Sequence, residues 1–210
     1  MNRLLLIASL LLNSVLLFSQ NKVSQKEQLR MIGMIEKKAS AIKTLHCDFT
    51  QEKTLKMLNH NLLSSGTMDY AQPSKLKWQY LKPYKYLFVV NDSRVMVKNS
   101  EHTNVIDARQ SRIFKEVTQI MVNSVTGKCL SNKKDFKVEM LSSDNQWIAN
   151  LSPLNKEMKS MFKSIKLYIN PQRCIVTKVE LYENNNDVTK IQLINYKTNV
   201  PISEKTFSLN

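Results

Sequence analysis

From Leu76 to Tyr80 apolar side chains alternate strictly with Lys75, Lys77 and Gln79. A period of two places Leu76, Trp78 and Tyr80 on one face of a strand and cations on the other, so one face is covered and the other is wet. Pro73 and Pro83 bracket the run at turn positions, and Tyr86 to Val90 returns toward Asn91-Asp92-Ser93. The pair therefore reads as two adjacent antiparallel strands. Between Val23 and Leu45 the period becomes helical. Leu29, Ile32, Ile35, Ala39 and Ile42 recur three and four residues apart, and Ser24 with Glu27 has the capping-box spacing, which predicts an amphipathic helix. Leu45, Cys47 and Phe49 then alternate with polar neighbours as a strand, and Leu58 to Ser65 reads as a polar break.

Beyond the central pair, Val95 and Val97 mark a strand and Asn104 to Asp107 a weaker one. Ser111 to Leu130 loses the alternation, and its apolar positions fit short helices or a folded loop ending near Gly127. Strands resume at Phe136 to Met140, Trp147 to Leu151, Ile165 to Ile169, Cys174 to Tyr182, Val188 to Tyr196 and Thr206 to Leu209. Turn signals with no helical pattern between them predict an antiparallel meander of about ten strands.

The chain has 210 residues, 42% hydrophobic and 23% charged, which suits one folded domain. Arg3 followed by the apolar run Leu4 to Phe18 and polar Ser19-Gln20 has the layout of a secretory signal, cleaved near Gln20. The expected division is a signal peptide over 1–20 and one domain over 21–210. The alternative is an uncleaved anchor, for which the run is short, since a spanning helix needs roughly 20 residues. The formal net charge of +14 is spread singly over the strands, without a basic arm for nucleic acid. A diffuse basic surface suits an anionic membrane face or acidic proteins.

Candidate chemistry is sparse. Gly33, Gly66 and Gly127 make no phosphate-cradling loop, and His46, His60 and His102 lie in separate elements without metal-ligand spacing. Asp48 and Glu52 can share a strand face, a spacing commonplace on wet faces. Cys47, Cys129 and Cys174 are too few for a disulfide framework and read as small core side chains. No enzyme, metal or cofactor is expected. The aromatic face covers either a solid core or a cavity, and the ten methionines suit either ordinary core filling or an adaptable binding surface.

Several segments in order carry a resemblance. Phe49-Thr50-Gln51 follows the helix; then come Gly66, the frame of Pro73, Leu76, Trp78, Tyr80 and Pro83, and a strand ending in Asn91-Asp92. With Trp147 to Pro153 and the Asn199-Val200-Pro201-Ile202 to Phe207 segment, the chain resembles the outer-membrane lipoprotein carrier protein LolA family over nearly its whole exported length. The resemblance implies a mainly β fold with helices: an incomplete antiparallel barrel of about ten to eleven strands covered by a helical lid. It also implies a lipid-binding cavity lined by Phe49, Met68, Tyr70, Leu76, Trp78, Tyr80, Val95, Val97 and Trp147, with Gln72, Ile32, Ile35, Ile120 and Met121 in the lid.

The implied function is a monomeric periplasmic carrier that holds the acyl chains of lipoproteins and moves them from the inner to the outer membrane. Its implied partners are acylated lipoproteins, an inner-membrane ATP-driven lipoprotein exporter, an outer-membrane receptor and a transient membrane-surface contact. The alternative is a module of the same fold that binds another amphiphile or senses misplaced lipid. One departure is plain. Better-known members carry an arginine before the proline matching Pro73, hydrogen-bonded to the lid, and this chain has Gln72.

Overall fold

This computed structural model describes residues 21–58, 60–107, 122–123, 126–143 and 145–209. After the two-residue strand β1 (Asn21–Lys22) comes helix α1 (Gln25–Ala41). Ser24 caps the helix by accepting from the Glu27 backbone N–H at 3.2 Å, which satisfies one of its orphan donors. The expected reciprocal half of the box is absent, because the Glu27 carboxylate turns to Arg30 instead, at 2.6 and 2.8 Å. Met31, Ile32, Ile35 and Ala39 form the buried stripe, and Leu29 falls beside it, exposed.

The remaining strands are β2 (Thr44–Leu55), β3 (His60–Ala71), β4 (Lys75–Lys82), β5 (Tyr86–Asn91), β6 (Arg94–Lys98), β7 (Thr103–Asp107), β8 (Phe136–Ser143), β9 (Gln146–Pro153), β10 (Phe162–Asn170), β11 (Ile175–Glu183) and β12 (Val188–Thr198). All are antiparallel in one sheet ordered β1-β8-β9-β10-β11-β12-β2-β3-β4-β5-β6-β7. Chain neighbours pair except where β12 returns to β2 and β1 joins β8. The end strands β1 and β7 do not pair with each other, so the sheet stays open.

Several local expectations give way to long-range pairing. Leu58 to Ser65 is no break: β3 starts at His60 and pairs with β2 from Leu55 opposite His60 to Thr44 opposite Ala71. The ladder supplies backbone hydrogen bonds whatever the side-chain polarity. A short helix, α2 (Lys156–Met161), interrupts the later meander; Asn155 caps it by accepting from the Met158 N–H at 2.8 Å. Cys174 lies in the turn before β11, with a positive φ of 51°. The expected strand at Thr206 to Leu209 is a 3-10 turn, Glu204–Phe207, which buries Phe207 against Val89 and Met96. Of Ser111 to Leu130, Val122 and Asn123 are helical and Lys128–Ser131 is a 3-10 turn.

Two main hydrophobic clusters line the covered side of the sheet. One joins Met31, Ile32 and Ile35 of α1 to Met140, Ala149, Leu151, Ile165, Leu167 and Ile169 on β8 to β10. The other joins Cys47 and Phe49 on β2 to Met68, Tyr70, Leu76, Trp78, Phe88, Val90 and Val95 on β3 to β6, with Val122 packed among them. Gly127, at φ +75°, turns the chain between these elements. A Cβ there would lie 2.8 Å from Ile35 Cγ2, so only glycine fits beside α1.

Candidate functional site

Strand alternation gathers the second cluster. On β2 the inward positions are Leu45, Cys47 and Phe49; on β3 they include Gly66, Met68 and Tyr70; on β4 they are Leu76, Trp78 and Tyr80. Gly66 lies opposite both Phe49 and Tyr80 and leaves the space that the Phe49 ring enters. An added Cβ would sit 1.8 Å from the Gln79 carbonyl oxygen and 2.9 Å from Phe49 Cε1.

The rings form a chain that runs outward. Phe49 and Trp78 have centroids 4.3 Å apart, Phe49 and Tyr80 meet edge to face at 5.2 Å, and Tyr80 and Tyr86 follow at 6.0 Å. Leu76 is 0% exposed and Trp78 only 3%, so this end is packed solid; the open volume begins at Tyr80. There the inward face continues as a groove of about 330 Å³ lined by Gln51, Leu62, Ser64, Tyr80, Pro83, Tyr84 and Tyr86. That volume is at the small end of ligand pockets, and its walls are mostly apolar.

Few polar groups punctuate this surface. The Tyr80 hydroxyl donates to Gln51 Oε1 at 2.9 Å, and burial raises the phenol above its ordinary pKa. Lys53 reaches Glu183 at 2.9 Å, and Glu183 also accepts from the Thr189 hydroxyl at 3.2 Å. The Trp78 indole N–H is different: buried within the cluster, it makes no hydrogen bond of good geometry and has the Tyr80 hydroxyl as its nearby polar group. A buried donor held in poor geometry realises only part of a hydrogen bond's free energy, which an acceptor of better geometry would restore. Cys47, buried in the same cluster, has its thiol pushed up to about 12 by burial and stays neutral.

The side chains expected to line a cavity separate into two places. Phe49, Met68, Tyr70, Leu76, Trp78, Tyr80, Val95 and Val97 all belong to the cluster that ends in the groove; Trp147 packs with Ile32 and Ile35 in the other. Of the expected lid, Gln72 donates from Nε2 to the Ser40 carbonyl at 3.2 Å. Asn199 donates from its side-chain amide to the next carbonyl, Ala41, at 3.1 Å, so two amides hold the C-terminal end of α1. Ile120 and Met121 lie outside the described residues. Val122, Leu62 and Tyr86 were not among the expected residues. Leu62 sat in a segment read as a break, and Val122 in one without periodicity.

A second groove, about 550 Å³, is lined by Thr50, Glu52, Lys178, Lys190 and Gln192 of the outer face and meets the first at the strand ends, where both share Gln51, Leu63, Ser64 and Lys82. Lysines outnumber the one carboxylate in its lining, but most of the lining surface is apolar. Among the described residues no group of three or more His, Cys, Asp and Glu side chains is placed to hold a metal ion.

Comparison with known proteins points one way. The family model described as outer membrane lipoprotein carrier protein LolA matches residues 40–210. An outer-membrane lipoprotein carrier protein of Legionella pneumophila (strain Lens) is 26% identical, over 100% of this chain and 95% of its own length. One of Francisella tularensis subsp. novicida (strain U112) is 26% identical over 79% of this chain and 78% of its own. Among solved structures, that of the Pseudomonas aeruginosa MucA/MucB complex superposes with a TM-score of 0.51 at 10% identity, over 85% of this chain and 60% of that one, which shows a shared fold alone.

Proposed function

This chain belongs to the LolA family of outer-membrane lipoprotein carriers, and from that premise we propose that it binds the acyl chains of lipoproteins along its aromatic inner face and carries them from the inner to the outer membrane. The family is one of carriers rather than enzymes, and its members work in the periplasm. The observation that carries the reading is the aromatic chain Phe49, Trp78, Tyr80 and Tyr86, which leads from a packed interior into an open apolar groove.

A sixteen-carbon chain gains on the order of 12 kcal/mol on leaving water, at about 0.8 kcal/mol per methylene. The groove accepts only the first part of such a chain. The rest enters as Leu76, Trp78 and Val122 part, a ligand-driven shift from the packed empty state to an open one. An ester carbonyl alongside the chain then meets the Trp78 N–H. The packed state keeps the interior dry when empty, and its recovery favours release. Gln72 and Asn199, bonded to the end of α1, hold that closed state together.

In this reading the partners are acylated lipoproteins, an ATP-driven inner-membrane exporter, an outer-membrane receptor and a passing contact with a membrane. Residues 1–20 act as the cleaved export signal. The test is to purify the protein without detergent, extract it and identify by mass spectrometry what travels with it. Acylated protein is the expected result. A free lipid as sole cargo would instead assign it to a carrier of another amphiphile.

A further inference from the structure

The tip of the β2–β3 hairpin and the β4–β5 turn stand on either side of the apolar groove. Residues 53–63 and 81–86 contain Lys53, Lys56, Lys82 and Lys85 and not one Asp or Glu. Large apolar side chains are interleaved with them and face water: Met57 is 91% exposed, Tyr84 81% and Leu63 69%. Leu62, Leu63, Tyr84 and Tyr86 line the same groove, so they form one surface rather than scattered exposures. Three acidic groups lie close by and are already engaged: Asp187 accepts from the Lys56 backbone N–H at 2.9 Å, and the other two are Glu52 and Glu183. Glu52 accepts from Asn61 Nδ2 at 2.9 Å, and Glu183 pairs with Lys53.

Exposed tyrosine and leucine side chains interleaved with lysines suit a bilayer interface. Apolar tips enter the headgroup boundary, phenol hydroxyls stay wet and ammonium groups meet lipid phosphates. We propose that this rim docks on an anionic phospholipid surface and sets the mouth of the groove against the membrane. The charge complementarity commits the surface to anionic lipid, because each lysine near such a surface contributes a factor of about five in affinity. Docking rests on the carrier reading only for its purpose, since it requires no cargo.

The test is flotation of protein purified without detergent on vesicles of phosphatidylcholine, with and without phosphatidylglycerol. The protein should float with the anionic vesicles, stay behind with the neutral ones and dissociate at high salt. Replacing both Lys82→Gln and Lys85→Gln should weaken binding on the order of twentyfold, and Tyr84→Ser several-fold. All three positions are exposed turn or strand-end residues, so the melting temperature should not move. Failure to float with anionic vesicles, equal flotation with neutral ones, or wild-type binding by the variants would each overturn the proposal. Lys85→Gln and Met57→Ser lie outside the groove lining and separate the two readings: flotation should weaken in both while each binds a fluorescent acyl probe as the wild type does, and a loss of probe binding would place them in the cargo site instead.

Discussion

The two halves of the interior are built from the same strand geometry and end up unlike each other. Under α1, the face of β8 to β10 is filled with aliphatic and methionine side chains and sealed by Met31, Ile32 and Ile35. Around β2 to β5 the inward face is aromatic, includes a buried donor without a well-formed hydrogen bond, and runs off the end of the sheet into a groove. The first half behaves as a core, whose packing stabilises the fold. The second gives up some of that stability by leaving large side chains in water at its outer end, and in the proposed reading this is the half a ligand enters.

The contrast is most easily broken at Gly66. Gly66→Ala forces a methyl group into the Gln79 carbonyl and the Phe49 ring, so β3 and β4 must separate; the expected loss of stability exceeds about 4 kcal/mol, read by chemical denaturation. A variant as stable as wild type would mean that the strands slide easily there. Next, Leu167→Ala opens a cavity in the sealed half and should cost about 3 kcal/mol while leaving the affinity of the folded protein for an acyl probe unchanged. A matching loss of affinity would show that the halves act as one cavity.

The smallest and most pointed change is Trp78→Phe. Removing a buried N–H that makes no well-formed hydrogen bond offsets part of the lost ring volume, so stability should shift by about 1 kcal/mol, while affinity for an acyl ester should fall about fivefold, one hydrogen bond's worth. Titration with an acyl ester and with a hydrocarbon of the same length checks this. Only the ester should lose affinity.

Much of this architecture could be read from the chain before any coordinates. Strict alternation placed Leu76, Trp78 and Tyr80 on one face, and the structure keeps them there; Ser24 announced the start of α1, and its hydroxyl caps the helix. Such features are local, set by the direction of successive side chains and by the orphan N–H groups of a first turn. Other features depend on partners far away in the chain. His60 to Ser65 is a strand because β2 lies beside it, Phe207 is buried because β5 and β6 receive it, and Trp147 packs under α1 because β9 lies on that side of the sheet. Periodicity tells which residues share a face but not what covers that face, because the cover comes from long-range register and the curl of the whole sheet. For that reason an aromatic stripe compatible with either a core or a cavity became both: packed at Leu76, open from Tyr80 outward.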